Sequence, residues 1–94
     1  MEAEVAQHPD VALAAAVAMP DEVFGERVCL YAELEPGAAL DLDALVSFLR
    51  DRGVSPEWFP ERLVVVYALP RASGGKVAKG ELRADIRRRI ETER

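Results

Sequence analysis

Cysteine and histidine each occur once, as Cys29 and His8. A lone cysteine cannot close an internal disulfide, and no Cys/His cluster exists for structural zinc. Aromatic residues are few, at 6%. None is interleaved with the basic C-terminal helix, as a surface that stacks nucleic-acid bases would require. No apolar run nears the roughly 18–20 residues that span a bilayer. The start, Met1-Glu2-Ala3-Glu4, is acidic and lacks the basic opening and apolar stretch of a secretory leader. Internal repeats and low-complexity linkers are also missing. These absences argue against a membrane span, a nucleic-acid partner and a protein-made metal site, and they point to a reducing cytoplasm. What is present, 94 residues of which half are apolar, suits one domain with one modest core.

Positive charge is scarce at first and then abundant. Residues 1–61 hold 13 acids against only Arg27, Arg50 and Arg52. Residues 62–94 hold nine bases, among them Arg62, Arg71, Lys76, Lys79, Arg83 and the Arg87-Arg88-Arg89 run, against four acids. The net charge of −5 conceals this split, which suggests that the basic part meets an anion. A solvated, charged helix face explains it equally well.

The pattern of apolar residues predicts the order α-β-β-α-β-α. Residues 2–8 read as the tail of a helix, stopped at His8-Pro9. Val11, Leu13, Val17 and Met19 share a parity that favours a strand. After a turn around Gly25, Val28, Leu30, Ala32 and Leu34 alternate with Cys29, Tyr31, Glu33 and Glu35, as in a half-buried strand. Asp41 is placed to cap a helix whose apolar stripe is Leu42, Leu45, Val46 and Leu49, and Gly53 fits its left-handed end. Leu63-Val64-Val65-Val66-Tyr67 resembles a strand buried on both faces. A last helix from about Gly80 carries Leu82, Ile86 and Ile90. The fold class expected is α+β, a small and mainly three-stranded sheet flanked by helices.

The stretch Pro70-Arg71-Ala72-Ser73-Gly74-Gly75-Lys76-Val77 is the most informative. Adjacent glycines permit backbone conformations closed to other residues, and Lys76 is then a mobile point cation suited to phosphate or carboxylate. It is not a Walker A loop, because Pro70 and Val77 occupy the places of the required glycine and hydroxyl residue. On spacing alone, a plain surface turn explains the stretch better.

The longer string changes that balance. The run Leu63-Val64-Val65-Val66-Tyr67-Ala68-Leu69-Pro70-Arg71, then Gly75-Lys76-Val77, Lys79 and Glu81-Leu82-Arg83, resembles the C-terminal motif of adenylate-forming enzymes. Acyl-CoA synthetases, the adenylation domains of non-ribosomal peptide synthetases and luciferases make up that superfamily. Upstream, His8-Pro9-Asp10-Val11, Met19-Pro20-Asp21-Glu22, Gly25-Glu26-Arg27-Val28, Pro36-Gly37 and Pro60-Glu61-Arg62 continue the likeness in order. The match covers almost the whole chain and is most like acyl-CoA synthetases (AMP-dependent synthetase-ligases). Ala72-Ser73-Gly74 departs from the threonine, small residue and serine usual there.

The resemblance implies that residues 1–94 form a single C-terminal lid domain, beginning just after the hinge, with the large N-terminal adenylation domain as its partner. It implies an ATP-dependent acyl-CoA ligase in which the lid first helps join a carboxylic acid to ATP and then rotates for thioester formation. Lys76 would be the catalytic lysine of the first step, and Ser73, Gly74 and Gly75 would shape its loop. Arg71, Lys79 and Arg83 are candidates for phosphate or domain contacts. ATP with Mg²⁺ would be held mainly by the large domain, and CoA, or alternatively a carrier-protein thiol, would accept the acyl group. The isolated chain is then expected to be inactive alone. Acetylation of Lys76, which occurs at this position in some relatives, would remove its charge. The alternative is a stand-alone interaction domain that binds a partner or carrier protein. For His8 a turn role is expected, for Cys29 an inert thiol, and for Trp58 and Phe59 a place at a core edge or interface.

Overall fold

A computed structural model describes residues 1–21 and 25–93. Glu22 of the upstream motif and Arg94 of the basic stretch lie outside the described residues. The element order is α1 (Glu2–Val5), β1 (Val11–Asp21), β2 (Gly25–Leu34), α2 (Leu42–Asp51), β3 (Arg62–Val66) and α3 (Lys79–Glu93), with 3₁₀ turns at Pro56–Trp58 and Ser73–Gly75. This is the expected α-β-β-α-β-α order.

The strands form one mixed sheet in the order β1-β2-β3. Strand β1 pairs antiparallel with β2 over Val11↔Leu34 to Asp21↔Gly25. Strand β3 runs parallel to β2, from Cys29↔Arg62 to Glu33↔Val66. A parallel pair needs a crossover, and α2 lies within it. Helix α2 is specified locally: the Asp41 carboxylate accepts from the Ala44 N–H at 2.8 Å, and Gly53 follows its end at φ +82°.

Two apolar layers sandwich the sheet. On one face Ala15, Val17, Met19, Cys29, Tyr31 and Val64 pack with Leu69 and with Leu82 and Ile86 of α3, and Ile90 adds to them. On the other, Val11 and Leu30 pack with Val5 of α1 and with Leu45 and Leu49 of α2, joined by Phe48, Phe59 and Leu63.

Three expectations are corrected by this arrangement. Strand β2 is buried on both faces: Cys29, Leu30 and Ala32 are fully buried and Tyr31 is 1% exposed. Its Cys29 and Tyr31 point into the layer under α3, so the alternation separates two cores and not core from solvent. Strand β3 is an edge strand, and Val65 is 48% exposed. Its apolar run is covered by α3 on one side, while the α2 layer reaches only Leu63. Lastly, Val11 belongs to the α2 face while Leu13, Val17 and Met19 belong to the α3 face. A register shift between Val11 and Leu13 adds the residue that flips the parity.

Candidate functional site

The 70–78 segment folds as a miniature hairpin between β3 and α3. The Ala78 N–H donates to the Pro70 carbonyl at 2.9 Å, Arg71 and Val77 form an antiparallel bridge, and the Ala72 N–H donates to the Lys76 carbonyl at 2.6 Å. Its tip is the 3₁₀ turn Ser73–Gly75, closed by the Gly75 N–H on the Ala72 carbonyl at 3.2 Å. Gly74 and Gly75 both take φ +82°, which strains any residue with a Cβ. A Cβ at either would meet nothing within 4 Å, so glycine is required here for conformation and not for room.

Lys76 leaves this stem in an extended conformation, with an exposed side chain. The loop therefore presents its cation outward from a hydrogen-bonded base. Ser73, Gly74 and Gly75 are exposed around it. The other three candidate residues divide. Arg71 turns back and donates from Nη1 to the Gly75 carbonyl at 3.3 Å, bracing the tip. Lys79 is half-buried and donates from Nζ to Glu2 Oε1 at 2.9 Å. Arg83 is exposed on α3. Arg71 and Lys79 thus each have a partner within the domain, whereas Arg83 faces outward.

The loop's position depends on how α3 is fastened to the sheet. At its centre the Tyr31 hydroxyl donates to Asp85 Oδ2 at 2.5 Å, and Asp85 also accepts from Arg89 Nε at 2.7 Å and Arg88 Nη2 at 3.2 Å. The Tyr31 hydroxyl and the Arg89 guanidinium hold the Asp85 carboxyl below its ordinary range. Burial, reinforced by the Asp85 carboxylate, pushes the Tyr31 phenol well above its own. At the far end Arg62 grips Glu93, with Nη1 to Oε1 at 2.8 Å. The i, i+4 spacing makes the Asp85–Arg89 pair readable along the helix, but Tyr31, the donor from the sheet, is not among the candidate residues of the sequence analysis. The available signal was an acid beside the Leu82/Ile86 stripe, which needs a donor from the sheet.

The remaining candidates carry structure. His8 Nδ1 accepts from the Asp10 N–H at 3.0 Å, completing the turn into β1. Burial pushes the Cys29 thiol up to about 11, far from a reactive thiolate. Phe59 packs at the edge of the α2 core, whereas Trp58 is 60% exposed. Among the described residues no group of three or more His, Cys, Asp or Glu side chains could hold a metal ion. No helix among them is long and apolar enough to cross a membrane.

The profile of the AMP-binding enzyme C-terminal domain matches residues 1–76, ending on the exposed lysine. The chain belongs to this family. It is 44% identical over 85 residues to the medium-chain fatty-acid–CoA ligase of Escherichia coli K12, a match covering 89% of this chain and 15% of that protein. It is 38% identical over 79 residues to the salicyl-AMP ligase / salicyl-S-ArCP synthetase of Mycobacterium tuberculosis, covering 84% of the chain and 14% of the relative. Among solved structures, apo MbtA from Mycobacterium smegmatis superposes with a TM-score of 0.83 at 36% identity, over 88% of this chain and 16% of that one. Brucella canis acyl-CoA synthetase superposes over 99% of this chain and 17% of that one, again at 0.83, with 25% identity. The chain thus spans about one seventh of the ligases it matches.

Proposed function

We propose that this AMP-binding C-terminal domain is the catalytic lid of an ATP-dependent acyl-CoA ligase, and that Lys76 is its working cation. The single observation that carries the reading is geometric. An exposed lysine projects from a braced, double-glycine hairpin between the sheet and α3. The likeness to a fatty-acid–CoA ligase over 89% of the chain supplies the chemistry to which that geometry is fitted.

In the first half-reaction a carboxylate oxygen attacks the α-phosphorus of ATP, and pyrophosphate leaves. Two anions must approach, and negative charge grows on the phosphoryl oxygens. An ammonium placed between them removes the repulsion and stabilises the developing charge. Lysine suits this as a compact point charge on a flexible stem, where an arginine would impose a planar fork. The exposed tip lets the lysine enter a neighbouring domain's pocket, while the hydrogen-bonded stem limits the freedom lost on insertion. Mg²⁺ accompanies ATP on the large domain. Rotation of the lid then withdraws Lys76, and a thiol attacks the acyl-adenylate to release AMP. CoA is the acceptor favoured by the 44% match, although the M. tuberculosis relative is named for a salicyl-S-ArCP product.

The test is pyrophosphate exchange into ATP, driven by the carboxylate, in the ligase that carries this domain. Lys76→Ala should abolish nearly all exchange. Exchange at the wild-type rate would refute the role given to Lys76.

A further inference from the structure

Helix α3 begins weakly. Ala78 stands where a capping serine, threonine, aspartate or asparagine would be useful, and Gly80 is its second residue. Its first turn rests on the Glu81 N–H donating to the Ala78 carbonyl at 3.0 Å and on a longer bond from the Leu82 N–H at 3.4 Å. The same Ala78 closes the stem of the Lys76 hairpin by donating to Pro70. Fraying of this turn would loosen the base from which Lys76 projects.

One carboxylate spans the gap. Glu2 Oε1 accepts from Lys79 Nζ at 2.9 Å, and Glu2 Oε2 accepts from the Ala16 N–H at 3.0 Å. Glu2 therefore joins three elements: α1, strand β1 and the first residue of α3. Val5 of α1 packs on the α2 face while α3 covers the opposite face, so this clasp reaches around the β1 edge of the sheet. Burial alone would raise the Glu2 carboxyl, but the bonds from Lys79 and Ala16 outweigh it and hold it below its ordinary value.

We propose that Glu2 is a positioning residue for Lys76, acting through Lys79 to hold the first turn of α3 and the hairpin stem against the sheet. The Lys79 ammonium then serves as an internal fastener and not as a phosphate ligand. Its catalytic consequence rests on the lid reading above; the clasp itself rests on geometry alone. A partly exposed ion pair contributes little to global stability, so its loss leaves the fold intact and acts locally.

Amide hydrogen exchange on the 94-residue chain tests the clasp without reference to catalysis. Glu2→Gln and Lys79→Met should each speed exchange at Glu81 and Leu82 by up to about fivefold, the range of one partly exposed ion pair. Exchange at Ile86 should not change. Lys79→Arg should keep the wild-type rates, and the double variant should be no faster than either single one. Unchanged exchange at Glu81 and Leu82, or additive effects, would overturn the proposal. In the ligase carrying the domain, Glu2→Gln should lower the kcat of adenylation by a similar factor, with the KM for the carboxylate and the thioester half-reaction unaltered. If exchange speeds up and adenylation holds while Lys76→Ala abolishes it, Glu2 does not position the lysine. If Lys76→Ala has no effect, the lid reading itself falls, and the exchange data still decide whether the clasp exists.

Discussion

Strand β2 and the 70–78 hairpin obey opposite rules. Four consecutive β2 side chains, Cys29 to Ala32, are at most 1% exposed, whereas every residue from Arg71 to Lys76 is exposed. The strand is fixed by side chains packed from two helical layers. The hairpin is fixed by backbone hydrogen bonds and two left-handed glycines, leaving the Lys76 side chain unburied. The difference separates stability from function: substitutions in β2 should unfold the domain, and substitutions in the hairpin should silence it while it stays folded.

The largest expected effect on stability lies in the strand. Leu30→Ala should cost roughly 2–5 kcal/mol in urea unfolding, because the cavity opens in a fully buried site. Val65→Ala, on the half-uncovered edge strand, should change stability by less than about 1 kcal/mol. Comparable losses at the two positions would break the distinction between central and edge strand.

Tyr31→Phe comes next, at about 1–3 kcal/mol, since it removes the donor that Asp85 uses inside the structure. It also carries a pH signature. The Asp85 carboxyl is lowered in the folded state, so its stabilisation is present above its unfolded value and is lost as pH falls through the folded one. The Tyr31 phenol is raised, so its contribution is present below about 10 and is lost as pH rises through the folded value. Tyr31→Phe should therefore flatten stability losses below about pH 4 and above about pH 10, measured by thermal unfolding across pH. Parallel curves for variant and wild type would show that the Tyr31–Asp85 bond does not form in solution.

The smallest stability change belongs to the hairpin. Gly75→Ala would force a Cβ into the left-handed region, a strain of about 1–2 kcal/mol only if the backbone were held rigid. Because the hairpin is exposed, that strain is relieved by rearranging the tip, so the thermal midpoint should move little while adenylation drops. A drop in the midpoint as large as that of Leu30→Ala would place the hairpin inside the cooperative core.

Legibility in the sequence followed the same division. The element order, the Asp41 cap and the Gly53 stop were readable because each rests on a few neighbouring residues. Which strand sits in the centre was not. Val64-Val65-Val66 is more apolar than Cys29-Leu30-Tyr31-Ala32, but centrality depends on which helices cover which face, and that is set by long-range packing. Tyr31 and Asp85 lie 54 residues apart, so no local spacing joins them. The Val11 parity failed through one extra residue in β1. The role proposed for Lys76 rests on the longer string around it, since a Gly-Gly-Lys turn alone describes many surface loops. The Glu2–Lys79 clasp, 77 residues apart, left no trace in the pattern.

The most direct measurement compares the two half-reactions in one variant. In the ligase bearing this domain, Lys76→Ala should reduce adenylate formation about 100-fold or more, the scale for removing one charge-stabilising group from a transition state. Thioester formation from supplied acyl-adenylate should stay within about threefold of wild type, since the proposed rotation would have carried Lys76 away by then. Equal losses in both half-reactions would contradict the account, because they would make Lys76 a general structural support and not the cation of the first step.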